Sequence, residues 1–200
     1  MTINGALVTN DKEEAIIQNY LDDDDFEKLK DICLKYDVAF AYKFDEAVVI
    51  YNHYLEFIDN YTNGVEYPKI LIDNTQDQDY HHNHQAYGCF VVGDNDILDK
   101  IRDEITTVKW SKCYDKAMEC YRKDISKLSG IDYVLNKYHL TRDNLMAFGD
   151  GENDIEMLQY AAIGVALNNA DPKLKKVADY ISSDCDKGGI HKALRHYKII

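Results

Sequence analysis

Apolar residues follow one rhythm up to about residue 120 of this chain and another beyond it. Residues 2–20 read as a strand, a turn at Asn10, Asp11, Lys12 and Glu13, and a second strand through Ala15, Ile16 and Ile17. Phe26, Leu29, Ile32 and Cys33 then recur at helical spacing behind Asp22 to Asp25, and acidic residues favour a helix N-terminus. Residues 38–42 and 47–51 predict a hairpin around 43–46, and 53–61 a short helix. Residues 62–84 are polar and turn-rich, interrupted by Ile70, Leu71 and Ile72. A strand at 86–92, a helix capped by Asp94 and strands near 106–114 and 117–122 follow. From there helices at 126–138, 152–161, 172–178 and 188–197 alternate with short apolar strands at 145–148, 163–167 and 179–182. Pro172 suits the first turn of its helix.

Alternation of helices with short strands signals a parallel sheet with crossover helices, whereas the middle of the chain reads as antiparallel α+β. Two domains are expected: an α/β core at 1–20 and 119–200, and an α+β domain at 21–118 inserted into it. The core sheet should hold strands near 2–9, 145–148, 163–167 and 179–182.

Charge narrows the class of partner. The formal net charge is −13, and such a surface repels phosphate backbones, so nucleic-acid binding is not expected. A small anion can still bind where cations and backbone amides converge. No apolar run is long enough to cross a membrane, and the first residues lack the pattern of a secretory signal. The five cysteines (Cys33, Cys89, Cys113, Cys120, Cys185) form no C-x-x-C pair and read as reduced thiols of a cytoplasmic protein.

The densest chemistry lies at 147–158, Ala-Phe-Gly-Asp-Gly-Glu-Asn-Asp-Ile-Glu-Met-Leu. An apolar strand ends there in a glycine-bearing acidic turn, and a helix follows. Ligands of open parallel sheets bind at the carboxyl ends of strands. Asp150 can offer Mg²⁺ a hard oxygen, Asn153 can hydrogen-bond an anion, and Asp154 can orient a lysine or a metal-bound water. Taken alone, Gly-Asp-Gly reads most simply as an acidic helix-capping turn. An EF-hand is excluded, because its obligatory glycine is Ile155 and its closing glutamate is Ala161.

The longer string from Gly149 to Leu158 resembles the fourth motif of the haloacid dehalogenase superfamily, and most closely the Cof-type phosphatases. Further segments match in order: Ile-Asn-Gly-Ala at 3–6, Ser-Lys-Leu-Ser-Gly at 126–130 with the third-motif lysine at Lys127, and the closing stretches 161–181 and 186–194. The resemblance implies a Rossmann-like core with an α+β cap, and Mg²⁺-dependent hydrolysis of small phosphate esters such as sugar phosphates through an aspartyl-phosphate. It makes Asp150 a metal ligand, Lys127 a neutraliser of phosphoryl charge, Asn153 a phosphate contact and Asp154 the holder of Lys127 or of a metal-bound water. The partner is then a small phosphorylated metabolite.

The family's first motif, Asp-x-Asp-Gly-Thr with its nucleophilic aspartate, has no counterpart in this sequence, nor has the second. The core is therefore expected to be incomplete at its N-terminus. Its open sheet edge would be covered by a second copy or by a missing N-terminal segment, and the chain alone would be inactive. The alternative function is a non-catalytic binding module. Substitutes for the nucleophile are poor. Asp22 to Asp25 read as a helix start and Asp94 as a helix cap, and His81, His82 and His84 read as a solvated loop, with a metal or substrate-facing role as the lesser alternatives.

Overall fold

The structure is a computed structural model that describes residues 3–62 and 70–200. Pro68 and the rest of 63–69, which fall in the turn-rich stretch, lie outside the described residues, as do Met1 and Thr2 at the start of the first expected strand. Two compact units form: Ala6–Ile125, and Ile3–Gly5 together with Ser126–Ile200.

In the larger unit, β1 (Leu7–Thr9) and β2 (Ala15–Gln18) pair antiparallel, Val8 opposite Ile17. The expectation that the strand near 2–9 joins the parallel core sheet is corrected here. Asn10 closes the turn locally: its Oδ1 accepts from the Lys12 and Glu14 N–H groups at 2.9 Å each, and its Nδ2 donates to Glu14. A short loop pairs its flanking strands at little entropic cost.

The remaining strands of this unit are β3 (Ala39–Lys43), β4 (Ala47–Asn52), β5 (Ile70–Asp73), β6 (Gly88–Val92), β7 (Val108–Tyr114) and β8 (Ala117–Arg122), in the order β5-β4-β3-β6-β8-β7. All neighbours are antiparallel except β4 and β5. Helices α1 (Asp23–Lys35) and α3 (Asn95–Glu104) bury Phe26, Leu29, Leu98 and Ile101 in one core with Phe40, Tyr42 and Val91 of the sheet. Tyr42, wholly buried, donates its hydroxyl to the Phe26 carbonyl at 2.7 Å and so ties sheet to helix. The other sheet face packs Ala41, Ile50 and Phe90 against Phe57, the last residue of the short α2 (Tyr54–Phe57), and Tyr61 just beyond it.

Asp22 precedes α1, and Asp23, Asp24 and Asp25 fill its first turn. Asp25 is buried and accepts from Thr107 at 2.6 Å. Asp94 stands at the N-cap of α3, yet its side chain pairs with Lys116 rather than with the helix. In the histidine loop His82 and His84 are exposed, as expected, but His81 is part-buried. His81 shares a hydrogen bond with the Tyr51 hydroxyl at 3.0 Å and stacks on Phe26, while His84 stacks on Tyr80. Burial, with Lys30 nearby, holds the His81 pKa below its ordinary value.

The smaller unit contains α4 (Lys127–Lys137), β9 (Met146–Gly149), α5 (Ile155–Tyr160), β10 (Ile163–Ala166), α6 (Pro172–Lys175), β11 (Tyr180–Ile181) and α7 (Gly189–His196). Its strands form a parallel sheet in the order β11-β10-β9. Ala147, Leu158, Ala166 and Leu174 make its core. The fold is α/β, with a Rossmann-like helix–strand alternation in this unit and the α+β unit inserted between Gly5 and Ser126. The expected junction near 119 falls inside β8, whose Met118 and Cys120 belong to the core of the larger unit.

Thiol chemistry offers a check on this packing. Cys33, Cys89 and Cys120 are buried, and burial raises the Cys89 pKa well above its ordinary value and pushes the Cys113 thiol up to about 12. Cys185 is exposed. Only thiolates react with disulfide reagents. Ellman's reagent at pH 8 should therefore titrate Cys185 alone in the folded protein, and all five cysteines after denaturation; rapid labelling of Cys113 would contradict the packing around β7.

Candidate active site at the carboxyl end of β9

Strand β9 ends at Gly149, and the chain turns through a short 3-10 segment (Glu152–Asp154) into α5. Neither Gly149 nor Gly151 takes a left-handed conformation. They allow close approach instead. A Cβ on Gly149 would stand 2.5 Å from the Asp154 Cβ, and one on Gly151 would stand 2.7 Å from Asn153 Oδ1.

Asp154 organises the turn. Its carboxylate is only 3% exposed, and Oδ2 accepts the backbone N–H groups of Asp150 at 2.9 Å and Gly151 at 3.1 Å. Oδ1 accepts from Lys127 Nζ at 2.6 Å. Lys127 opens α4, whose N-cap Ser126 and Ser129 form a reciprocal capping box. The cap fixes the helix start and so fixes the lysine.

Neighbouring strand ends brace the same turn. Leu167 N–H donates to the Gly149 carbonyl, and Asp171 N–H donates to the Asp150 carbonyl at 2.8 Å. Asp171 caps α6 by accepting from Lys173 N–H, and Lys173 pairs with Glu152. The turn is thus held by its own buried carboxylate and by the β10–α6 loop.

Of the residues singled out in the sequence, Lys127 and Asp154 meet directly. Asp150 enters their cluster through its backbone N–H, and its side chain is exposed. Asn153 donates from Nδ2 to Asn4 Oδ1 at 3.0 Å. Asn4 lies in the segment matched above as Ile-Asn-Gly-Ala, but nothing in the sequence marked it as a site residue. Among the described residues no three His, Cys, Asp or Glu side chains gather to hold a metal. Mg²⁺ does not need such a group: one or two carboxylates, waters and phosphate oxygens complete its octahedron. Asp150 fits that role as a lone protein ligand.

The smaller unit therefore presents a cation, a carboxamide and a hard carboxylate at one end of a parallel sheet, which suits a phosphate and its metal. The pattern of the haloacid dehalogenase-like hydrolases matches residues 1–194. The 5-amino-6-(5-phospho-D-ribitylamino)uracil phosphatase YcsE of Bacillus subtilis is 33% identical over 111 residues, 54% of this chain and 45% of that protein. The chloroplastic endoribonuclease YBEY of Arabidopsis thaliana is 49% identical over 72 residues, 36% of this chain and 12% of that protein. The chain thus spans less than half the length of either relative. The structure of BT1666, from a study of phosphatases of this superfamily in Bacteroides thetaiotaomicron, superposes with a TM-score of 0.84 at 25% identity, covering 98% of this chain and 72% of that one. The chain belongs to the haloacid dehalogenase-like hydrolase family.

Proposed function

We propose that this chain provides the phosphate- and metal-binding side of a Mg²⁺-dependent hydrolase of small phosphate esters, sugar phosphates among them. The observation that carries the reading is the ion pair of Lys127 with the buried Asp154 at the end of β9. Asp154 holds the ammonium in place and spends its second oxygen on the turn. Lys127 neutralises phosphoryl oxygens, and Asn153 donates an N–H to them. Asp150 would hold Mg²⁺, which when bound screens the phosphoryl charge and aligns the group for in-line transfer. The name of the Bacillus subtilis relative, a phosphatase of a phosphoribityl compound, supports a small phosphate ester as substrate. The inserted unit would act as the cap, and a cytoplasmic setting suits such a metabolite.

For the 200-residue polypeptide taken by itself, a second reading is a binding module without turnover, and one observation favours it. The sheet runs β11-β10-β9, so no strand lies on the far side of β9 among the described residues, and no nucleophilic carboxylate is placed beside Asp150 from there. Both readings require phosphate binding, and turnover separates them.

The binding test is calorimetric. Inorganic phosphate titrated into the 200-residue chain with Mg²⁺ should bind, and Lys127→Ala should weaken it roughly ten- to hundredfold, the worth of a hydrogen bond to a charged group. Equal affinity in wild type and variant would remove the lysine from the site.

A further inference from the structure

We infer that Asn4 is a positioning residue that fixes the amide of Asn153 so that a single N–H faces a bound oxyanion. This rests on the phosphate site proposed above and adds a residue to it.

The Asn153 carboxamide has one acceptor oxygen and two N–H donors. Its oxygen lies against the backbone at Gly151, in the space a Cβ there would need. One of its N–H groups goes to Asn4 Oδ1 at 3.0 Å. That leaves one N–H for an anion. Were the amide reversed, its oxygen would face the oxygen of Asn4, and a carbonyl would point where the phosphate belongs. As long as Asn4 keeps its Oδ1 toward Asn153, this hydrogen bond selects the productive orientation before any ligand arrives.

The backbone around Asn4 is built to hold it there. Asn4 adopts a left-handed conformation (φ 50°, ψ 28°), which asparagine tolerates better than most residues. Gly5 follows with φ 95° and lies so close to α4 that a Cβ would stand 2.2 Å from the Ser126 carbonyl oxygen. Ser126 is the cap of the helix that begins with Lys127. The Asn4-Gly5 turn thus touches both phosphate-facing elements: its side chain holds Asn153, and its glycine seats against the start of the Lys127 helix. All of these residues lie in the smaller unit.

Asn4→Gly is the informative variant, because glycine keeps the left-handed backbone and removes only the amide. The readouts are the two Asn153 Nδ2 proton resonances in ¹⁵N-labelled protein and the affinity for inorganic phosphate with Mg²⁺. In the wild type, without ligand, the proton bonded to Asn4 should lie downfield, and phosphate should shift the other one. Asn4→Gly should abolish the downfield position and weaken phosphate about five- to tenfold, with the backbone amide spectrum of α5 unchanged. Asn4→Asp, which keeps the acceptor, should retain the downfield proton. Asn153 protons unaffected by Asn4→Gly would overturn the inference whatever phosphate does. So would phosphate affinity that falls in Lys127→Ala but not in Asn4→Gly. A wild-type chain that binds no phosphate would instead overturn the proposed function, while the proton positions still judge the hold of Asn4 on Asn153.

Discussion

Replacing Asp154 with alanine should destabilise the smaller unit by about 2–4 kcal/mol, mostly the cost of two backbone N–H groups left without their acceptor, since Lys127 is 30% exposed and can turn to water. The substitution strands the Asp150 and Gly151 N–H groups and releases Lys127 from its anchor in one step. Asp154→Asn can keep a carbonyl oxygen for both backbone donors but turns its NH2 toward Lys127 and loses the charge, so its cost should be smaller by about half. Thermal denaturation measures the overall loss. Hydrogen exchange at Asp150 and Gly151 localises it, and both amides should lose protection in the alanine variant. A change below about 1 kcal/mol with protection intact would show that the turn is held by the β10–α6 loop alone.

The polypeptide of residues 1–200 should hydrolyse p-nitrophenyl phosphate and sugar phosphates no faster than a contaminant background. Lys127 and Asn153 can position a phosphate, and Mg²⁺ at Asp150 can screen it, but none of them is the attacking carboxylate. Lys127 is engaged by Asp154 at 2.6 Å and positions rather than attacks. General acid–base help by itself is worth about 10²–10⁴-fold, and loss of a covalent nucleophile adds to that. Turnover that disappears in Asp150→Ala would mean that a nucleophile exists within these residues, and Asp22 to Asp25 would be the first candidates. Background turnover together with tight phosphate binding would favour the binding-module reading for this polypeptide.

The parallel sheet and its helices were legible because each element carries its own local period: β10 and β11 form within the predicted ranges, and β9 runs one residue past its own, to Gly149. The pairing of Lys127 with Asp154 was legible through a motif whose members each sit on a readable element. What escaped depends on distant partners. Strand β5 is short and flanked by polar residues, and only its parallel pairing with β4 makes it a strand. Leu7 to Thr9 carry the pattern of a strand, but pattern does not say which sheet a strand joins, and the Asn10 turn decided it. Asn4 lies 149 positions from Asn153, and no window of sequence joins them. His81 looked solvated among polar neighbours, and aromatic packing against Phe26 and Tyr51 drew it inward.

The chain leaves the smaller unit just after Gly5 and returns to it at Ser126, and these two residues are in contact. A segment whose exit and return adjoin can be exchanged like a cassette, because a new insert of almost any length meets the same two anchor points and strains nothing behind them. Recombination or gradual drift within 6–125 can thus change that segment, while the Lys127–Asp154 pair and its turn are inherited unchanged. An engineer could make the same cut: a short glycine-rich bridge from Gly5 to Ser126 is the natural design for isolating the smaller unit.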